Sequence, residues 1–409
     1  MFSTLTTPQE PLLNEKAIHE IGNIDDGVNS NPVIDSAKYI YEKTKIVELN
    51  PEGIESASRY IHSRLLADAY SPGTWRTQPL HLCPPPIYSA KDPRTRATLD
   101  WIFLISSLNF SFWSELEGQS SRYAIQWLEG WGSSQTKSWT GYWSLLAAIN
   151  RALEAHIPIT DPAFYSSELL CPDSLIADIF TAASDSAESI PLLRERIMVL
   201  REVGFILCSS FGGSFQGFLE EFQRRNNNAG TALQLVHVVT ETFPSFRDET
   251  WYHGRQVFFW KRAQILVAET WAAFYPVPPP GGSNAEPHPF FPNGIEQLTM
   301  FADYRVPQIL HHLRLISYTP ALLSLLRNHV PLAPGSPEEL CIRAASILAV
   351  EAIRDKILLI NAGSSAVSSV LIDFYLWDLA KSIEKGEKNI EGIETVEMIP
   401  AHRTRSIWY

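Results

Sequence analysis

The segment IPLLRERIMVLREVGFILCSSF, residues 190–211, carries apolar side chains at intervals of three and four residues. This spacing is typical of an amphipathic helix that buries one face against a protein core. Comparable helical patterns continue on both sides of it, in residues 172–184, 215–225, 231–243, 257–274, 338–360 and 365–383, and residues 136–159 begin with a turn and continue as a helix to about Arg151. No fixed-period repeat and no regular alternation of strands with helices appears. The sequence therefore predicts a mostly α-helical, single compact domain, with a small β element near residues 75–113.

The composition of the 409 residues limits the class of protein. Hydrophobic residues make up 45% and charged residues 19%, a balance that favours a large buried core over disorder. The net charge of −12 disfavours a nucleic-acid partner, because binding to a phosphate backbone depends on lysine and arginine. The longest apolar run, around residues 101–113, is too short to span a bilayer, so no membrane partner is predicted.

The cysteines and the N-terminal residues bear on the compartment. Cys83, Cys171, Cys208 and Cys341 are far apart and form no CxxC pair, which suggests neither a zinc site nor a disulfide framework. The N-terminus lacks a basic stretch followed by an apolar run, so no secretory signal is predicted. Reduced thiols are typical of the cytoplasm and the nucleus, which are the expected locations.

Two stretches do not fit the helical pattern. Residues 1–30 are polar and rich in Pro, Asn, Asp and Gly, and we expect them to form a loose N-terminal arm. Residues 276–294, PVPPPGGSNAEPHPFFPNG, form a Pro/Gly-rich surface insertion, because proline at these positions prevents a continuous helix. Residues 31–409 make up the predicted domain.

The segment MFADYRVPQ, residues 300–308, places one acidic side chain, Asp303, between aromatic residues and a cation. A carboxylate held beside rings that stack on a flat ligand suits a binding or catalytic site. Asp303 also stands just before the Val306-Pro307 step, where an aspartate often caps the first turn of a helix. From these residues alone, helix capping is the simpler interpretation.

Several aromatic-rich segments accompany MFADYRVPQ in one order along the chain. They are LNFSFW (108–113), GYWSLLAAINRAL (141–153), FGGSF (211–215), SFRDE (245–249), FFWKRAQILVAETW (258–271), IDFYLWDLAK (372–381) and HRTRSIWY (402–409). Through these segments the chain resembles the queuosine salvage family, the queuosine 5′-phosphate N-glycosylases, from about residue 30 to its C-terminus. The resemblance implies a fold similar to that of the helical DNA glycosylases.

The same resemblance implies an enzyme that hydrolyses the N-glycosidic bond of queuosine 5′-monophosphate to queuine and ribose 5-phosphate. The expected partners are then a small nucleotide substrate and queuine, not nucleic acid. Nothing in the sequence indicates a metal ion or an organic cofactor. Two rival functions stay open. One is a nucleic-acid base glycosylase, against which the missing glycine-rich phosphate clamp counts, and the other is a non-catalytic queuine carrier.

The resemblance implies that Asp303 and Lys261 are catalytic. Asp303 would stabilise or attack the oxocarbenium-like sugar that forms as the base leaves. Lys261, Arg262 and Arg305 are candidates for a positive neighbour that prevents a rise in the pKa of Asp303. The same cations are candidates for binding the 5′-phosphate. The alternative for Lys261 and Arg262 is that both extend along the helix surface and place their charges in solvent.

Asp373 and Asp378 flank the aromatic residues of IDFYLWDLAK, and the resemblance implies that they contact queuine. Carboxylates would pair with its cationic secondary amine and accept hydrogen bonds from its hydroxyl or guanine-edge groups. Five residues apart on a helix, the two side chains point about 140° apart and can line adjoining walls of a pocket. The alternative is a solvated acidic face on which Asp378 pairs with Lys381 or Lys385.

The remaining substrate contacts implied by the resemblance are His81, Asn109, Phe301, Tyr304 and Phe374. Phe301 and Tyr304 would stack on the two faces of the deazapurine ring. His81 would donate a hydrogen bond to ribose or base, although a lone histidine is more often a core or surface residue. The basic cluster at residues 402–405 either caps helix ends or meets the phosphate, and the sequence does not decide between these roles.

Overall fold

A computed structural model of the chain describes residues 31–276, 287–360, 367–384, 386 and 390–409. Within these ranges the protein is mostly α-helical, which confirms the predicted fold class. The predicted arm, residues 1–30, lies outside the described residues. Most of the predicted insertion at 276–294 lies outside them as well, so both assignments stay predictions.

The helices and strands follow one another along the whole described chain. The helices are α1 (Pro32–Lys43), α2 (Pro51–Ala67), α3 (Pro93–Ser107), α4 (Tyr142–Glu154), α5 (Pro162–Tyr165), α6 (Asp173–Ile179), α7 (Leu193–Ser210), α8 (Phe215–Arg225), α9 (Ala232–Thr242), α10 (Lys261–Ala273), α11 (Val306–His312), α12 (Pro320–Arg327), α13 (Pro337–Ile360) and α14 (Ser369–Glu384). The strands are β1 (Val47–Leu49), β2 (Ala124–Leu128), β3 (Thr136–Thr140), β4 (Glu249–Tyr252), β5 (Arg255–Phe258) and β6 (Ile316–Tyr318). Short 3₁₀ helices occupy Pro72–Thr77, Pro244–Phe246 and Ile295–Gln297.

The strands form three separate two-stranded antiparallel sheets: β1 with β6, β2 with β3, and β4 with β5. The predicted β element near residues 75–113 is therefore wrong, because that region holds the 3₁₀ helix Pro72–Thr77 and helix α3. In the first sheet Val47 pairs with Tyr318 and Leu49 with Ile316. These two strands are far apart along the chain, so their pairing depends on the tertiary fold and cannot be predicted from a local sequence pattern.

Local signals do explain where several helices begin. At four helix starts an Asn or Asp precedes a proline, and its side-chain oxygen accepts a hydrogen bond from the backbone N–H two residues further on; these caps are Asn31, Asn50, Asp92 and Asp161. The proline occupies the first helical position, where its missing N–H costs nothing. These short motifs define helix starts without any help from distant residues.

Two buried helices position the cavity described below. Helix α13 is buried along most of its length and packs against α1, α2, α11 and α14. Helix α10 is buried as well and packs against α3, α9 and the 3₁₀ helix Pro72–Thr77. The first residue of α10 is thereby placed beside the C-terminal end of α3, and α14 is placed across from it.

The last twenty residues are irregular and return to the end of α3. The backbone N–H of Leu332 donates to the carbonyl oxygen of Arg403 at 2.7 Å. The indole N–H of Trp113 donates to the carbonyl oxygen of Thr404 at 2.8 Å. This segment therefore closes one side of the site.

Two further observations concern candidate membrane spans and the cysteines. Within the described ranges no single helix is long and apolar enough to cross a membrane, and only α7 and α8 together, bent by 53°, meet that criterion. The four cysteines are free, with Cys171 and Cys341 buried and Cys83 and Cys208 exposed.

Candidate active site

A cavity of about 210 Å³ lies between α10, α14, the first turn of α4, the 3₁₀ helix Pro72–Thr77 and the loop before α11. Nine residues predicted from the sequence line it: His81, Asn109, Lys261, Phe301, Asp303, Tyr304, Asp373, Phe374 and Asp378. The fold thus collects side chains from distant parts of the chain around one enclosed space. Arg262 and Arg305, which were also expected to contact the substrate, are not among the lining residues.

Lys261 is the first residue of α10 and is almost completely buried. The preceding residue, Trp260, has left-handed backbone dihedrals (φ 50°, ψ 36°) that turn the chain into the helix. The Nζ atom donates to the backbone oxygen of Asn109 at 3.0 Å and to its Oδ1 atom at 3.1 Å. Burial lowers the pKa of Lys261 to about 8, and the negative charge of Asp303 opposes that decrease. The amine therefore faces the cavity and does not extend into solvent.

Asp303 caps a helix and also lines the cavity. Its Oδ1 atom accepts hydrogen bonds from the backbone N–H groups of Arg305 and Val306, at 2.8 and 2.9 Å, and so caps the start of α11. No hydrogen bond to Oδ2 is present within the described part of the chain, and the residue lines the cavity. One oxygen therefore holds the carboxylate in place, and the other is available to a ligand.

Burial raises the pKa of Asp303, and Lys261 is the largest influence that opposes this rise. The expected positive neighbour is thus present and is Lys261, but it does not prevent an increase. The pair shares one enclosed space, where opposite charges interact more strongly than in water. Each group thereby favours the charged form of the other.

A buried ion pair that the sequence analysis missed connects these two residues. The guanidinium of Arg343, on α13, donates to both carboxylate oxygens of Asp248, at 2.5 and 3.1 Å. The Oδ2 atom of Asp248 also accepts from the backbone N–H of Lys261 at 3.1 Å. The Nε atom of Arg343 donates to the carbonyl oxygen of Ala302 at 3.0 Å, next to Asp303. One network therefore fixes the backbone at both charged residues.

Asp373 and Asp378 lie at different depths of the cavity wall. Asp373 is buried, and its Oδ1 atom accepts from the backbone N–H of Phe301 at 3.0 Å. Burial, together with the nearby charge of Asp303, raises the pKa of Asp373 well above its usual range. Asp378 is exposed at the rim and accepts a hydrogen bond from the Tyr70 hydroxyl at 2.7 Å. The surroundings of the inner carboxyl therefore favour its protonated form, and Asp378 lies further out, at the rim.

Glu269 is a lining residue that the sequence analysis did not select. It lies eight residues after Lys261 on α10, on the same helix face as Ile265, and all three line the cavity. Its Oε2 atom accepts from the indole N–H of Trp75. Burial raises the pKa of Glu269 to about 7. The spacing of Lys261, Ile265 and Glu269 along one helix face was the signal that could have identified it.

Aromatic rings form much of the remaining wall. The imidazole of His81 lies against Trp75 with ring centroids 4.1 Å apart, and its Nδ1 atom contacts the carbonyl oxygen of Trp75 at 2.8 Å. Burial lowers the pKa of His81 to about 4, so this ring is neutral at physiological pH. Phe301 packs against Phe374 with centroids 5.9 Å apart. These surfaces suit a flat, uncharged ring system.

Arg262 does not have its expected role. Its guanidinium donates to the carbonyl oxygens of Ser107 and Ser245 and lies over the rings of Phe110 and Phe246, in the core behind the cavity. The expectation that Arg262 binds phosphate is therefore withdrawn. Its place is structural, because it satisfies the carbonyl oxygen at the end of α3.

The side chains of the C-terminal basic cluster contact other residues of the chain. Arg403 pairs with Glu115 at 2.9 Å, and Arg405 lies 3.4 Å from the centre of the Trp113 ring. His402 contacts the hydroxyl of Tyr409 at 3.2 Å. Tyr409 itself lines the cavity, and its ring packs on Arg343 at 4.3 Å. The cluster therefore anchors the last segment against the site.

The cavity combines a carboxylate, a lysine and aromatic rings within a helical domain. This combination is typical of proteins that bind a flat, polar small molecule. The model of the queuosine salvage protein family matches residues 88–409. Similar proteins include the queuosine 5′-phosphate N-glycosylase/hydrolases of Schizosaccharomyces pombe, at 40% identity, and Mus musculus, at 37%. Each alignment spans 92% of this chain and at least 98% of the relative. The chain belongs to the queuosine salvage protein family.

Proposed function

We propose that the protein hydrolyses the N-glycosidic bond of queuosine 5′-monophosphate, releasing queuine for reinsertion into transfer RNA. The observation that carries the proposal is the placement of Asp303 and Lys261 in one enclosed, aromatic-lined cavity. The names of the similar proteins, queuosine 5′-phosphate N-glycosylase/hydrolase, support the same substrate and bond.

Asp303 acts on the sugar. As the glycosidic bond breaks, positive charge develops on the anomeric carbon and the ring oxygen, and a nearby carboxylate stabilises that charge. The free Oδ2 atom is the one available for this interaction, because Oδ1 is held by two backbone N–H groups. A carboxylate that is fixed before the substrate arrives needs no reorganisation during the reaction.

The base leaves without the usual protonation site, because a 7-deazapurine has a carbon where a purine has its basic imidazole nitrogen. The negative charge on the departing base must therefore be stabilised by hydrogen bonds to its other edges. Asp373 and Glu269 line the cavity as carboxyl groups whose pKa values burial raises, well above the usual range and to about 7 respectively. In their protonated forms they donate hydrogen bonds to the departing base, which accumulates negative charge.

The charges of the protein and of its cavity argue against the two rival functions. A long nucleic-acid backbone is bound through many lysines and arginines, and the chain carries a net charge of −12. A carrier without catalysis would not need a buried carboxylate opposite a buried lysine, since that arrangement is expensive in desolvation. The location that the free cysteines support is the cytoplasm or the nucleus.

The proposal is tested by incubating purified protein with queuosine 5′-monophosphate, queuosine and guanosine 5′-monophosphate. Mass spectrometry of the products should show queuine and ribose 5-phosphate from the first substrate. Guanosine 5′-monophosphate should stay intact, because it lacks the side arm. Binding of queuine without any cleavage of the nucleotide would support the carrier function and overturn the proposal.

We expect a bell-shaped pH dependence of kcat/KM. Asp303 must be ionised, and its raised pKa places the acidic limb above the usual range of an aspartate. Lys261 must be charged to support it, and its pKa of about 8 sets the alkaline limb. In Lys261→Met the alkaline limb should disappear, and turnover of the nucleotide and the nucleoside should fall by the same factor. An unchanged alkaline limb in this variant would exclude Lys261 as its source.

We expect Asp378→Asn to weaken the selection of queuine over 7-deazaguanine, and Asp373→Asn, at the inner carboxyl, to weaken the binding of both bases. The smaller base lacks the cationic side arm with which a carboxylate at the rim can pair. The inhibition constants of the two bases, measured with each variant, give the ratio directly. An equal loss of affinity for both bases in Asp378→Asn would assign Asp378 to the ring or to the fold, and Asp100→Asn, a buried carboxyl outside the cavity, is the control.

A further inference from the structure

The charges that line the cavity leave the position of the substrate phosphate unexplained. Among the described lining residues there are four carboxyl groups, Glu269, Asp303, Asp373 and Asp378, and Lys261 is the only lysine or arginine. A phosphate dianion placed deep in this space, beside the carboxylate of Asp303, would be repelled. The candidates for binding it are therefore cationic side chains at an edge of the cavity, outside its lining.

Such an edge lies beside Tyr304. The next residue, Arg305, has its guanidinium 5.6 Å from the Tyr304 ring, and its Nη2 atom is 3.6 Å from Glu384. Lys381 follows Trp377 by one helical turn on α14, and its Nζ atom is 2.8 Å from the same carboxylate of Glu384. Two cations thus share one acidic partner.

The neighbouring pair Arg122–Glu117, joined at 2.5 Å, does not change this balance. The cluster of Arg122, Arg305 and Lys381 lies beside the carboxylates of Glu117 and Glu384, and Asp303 also acts on Arg305, so its three cations are balanced by three carboxylates. Three cations close together nevertheless contrast with the cavity, where Lys261 is the only lysine or arginine among the described lining residues.

Both central cations are largely buried and share the carboxylate of Glu384, and Arg305 also donates to Gln308 at 3.0 Å. Arg305 is 7% exposed, and its Nε atom has no hydrogen-bond partner within the described residues. The side chain of Lys381 is 14% exposed. Burial, together with the charge of Arg305, lowers the pKa of Lys381 to about 8. A bound anion would supply the missing interactions, because buried charges are costly without partners.

The position of Lys381 also fits the rest of the substrate. Its Nζ atom lies 5.8 Å from the centre of the Trp377 ring, which lines the cavity. The same atom is 4.0 Å from the place that a Cβ on Gly141 would occupy, at the N-terminus of α4. The groove lined by Lys381 joins the cavity, since Trp143, Trp377 and Asp378 line both. A sugar held over Asp303 can therefore extend its 5′ carbon towards this cluster.

We propose that Lys381 and Arg305 bind the 5′-phosphate of the substrate at the rim of the cavity, and this inference rests on the proposed function. Lys261 is not assigned to this role, because its amine donates to Asn109 in the interior, close to Asp303. Phosphate binding at the rim anchors the sugar while the base enters the acidic, aromatic interior. Binding energy from such a remote group raises the rate at the reacting bond as well as the affinity.

The test compares Lys381→Gln with wild type on queuosine 5′-monophosphate and on queuosine. We expect kcat/KM for the nucleotide to fall on the order of 10- to 100-fold, the value of a charged hydrogen bond to phosphate. The nucleoside reaction should stay within about two-fold. Lys381→Arg should restore most of the preference, and Lys356→Gln, which removes a surface lysine paired with Glu55, should behave as wild type.

Binding of ribose 5-phosphate, measured by calorimetry, gives a readout that needs no turnover. Wild type and Lys381→Arg should bind it, and Lys381→Gln should bind it at least ten-fold more weakly. An unchanged preference for the nucleotide in Lys381→Gln would overturn the inference, and so would an equal loss on both substrates. If wild type cleaves neither substrate yet binds ribose 5-phosphate through Lys381, the proposed hydrolysis fails and the phosphate site stands.

Discussion

Asp303→Asn is expected to reduce the release of queuine by roughly 10³-fold or more, on the order of 4 kcal/mol in transition-state stabilisation. The substitution removes the negative charge but keeps the shape of the side chain. Its remaining oxygen can still accept from the backbone N–H groups of Arg305 and Val306, so the start of α11 is preserved. Binding of queuine and the melting temperature should therefore change little.

Asp303→Ala separates the two roles of this residue. It removes the charge and the cap together, and loss of a helix cap costs about 0.5–2 kcal/mol of stability. Single-turnover assays and thermal melting of both variants should thus show equal loss of activity and unequal loss of stability. Turnover of Asp303→Asn within a few-fold of wild type would refute the catalytic assignment and leave Asp303 as a cap alone.

Arg343→Met is expected to lower the free energy of unfolding by about 3–5 kcal/mol, because it leaves the buried carboxylate of Asp248 without its partner. The pair is 2.5 Å apart, and both side chains are almost inaccessible to solvent. The same change releases the carbonyl oxygen of Ala302, next to Asp303. Any protein that folds should therefore also show reduced turnover.

Denaturant titration measures this effect, and Arg327→Met provides the comparison. Arg327 pairs with Glu397 at 2.8 Å, but both side chains are more than half exposed. Exposed pairs contribute little, so this variant should stay within roughly 1 kcal/mol of wild type. Equal destabilisation by the two substitutions would show that the Asp248–Arg343 pair has no special importance for the site.

Local sequence patterns were sufficient for the helical class and for many helix bounds. The segment at residues 190–211 predicted a helix, and α7 occupies Leu193–Ser210. Apolar spacing and Asn-Pro or Asp-Pro starts act within a few residues, so they can be recognised without the fold. The pairing of β1 with β6 could not be recognised in this way, because each strand has only three residues and the partners are remote.

The same distinction applies to the residues of the site: some were identified from the sequence, and others only from the packing. Resemblance to a family selected Asp303, Lys261 and Asp373, since these stand in distinctive segments of the sequence. It could not separate Lys261 from Arg262, because adjacent residues on a helix point about 100° apart and only packing decides which one meets the cavity. Packing turned Lys261 towards Asn109 and Arg262 into the core.

The pKa changes of the site residues could be recognised only from the tertiary structure. Composition reports a net charge of −12 but not where each charge lies. Burial in one small cavity raises the pKa of Glu269 and lowers that of Lys261, and neither change has a signature in the neighbouring residues. The sequence alone determined which helices form and which family segments they carry, because those signals are local. The fold decided which carboxyls meet and which cations stay at the rim, because desolvation and charge pairing act between residues that are distant along the chain.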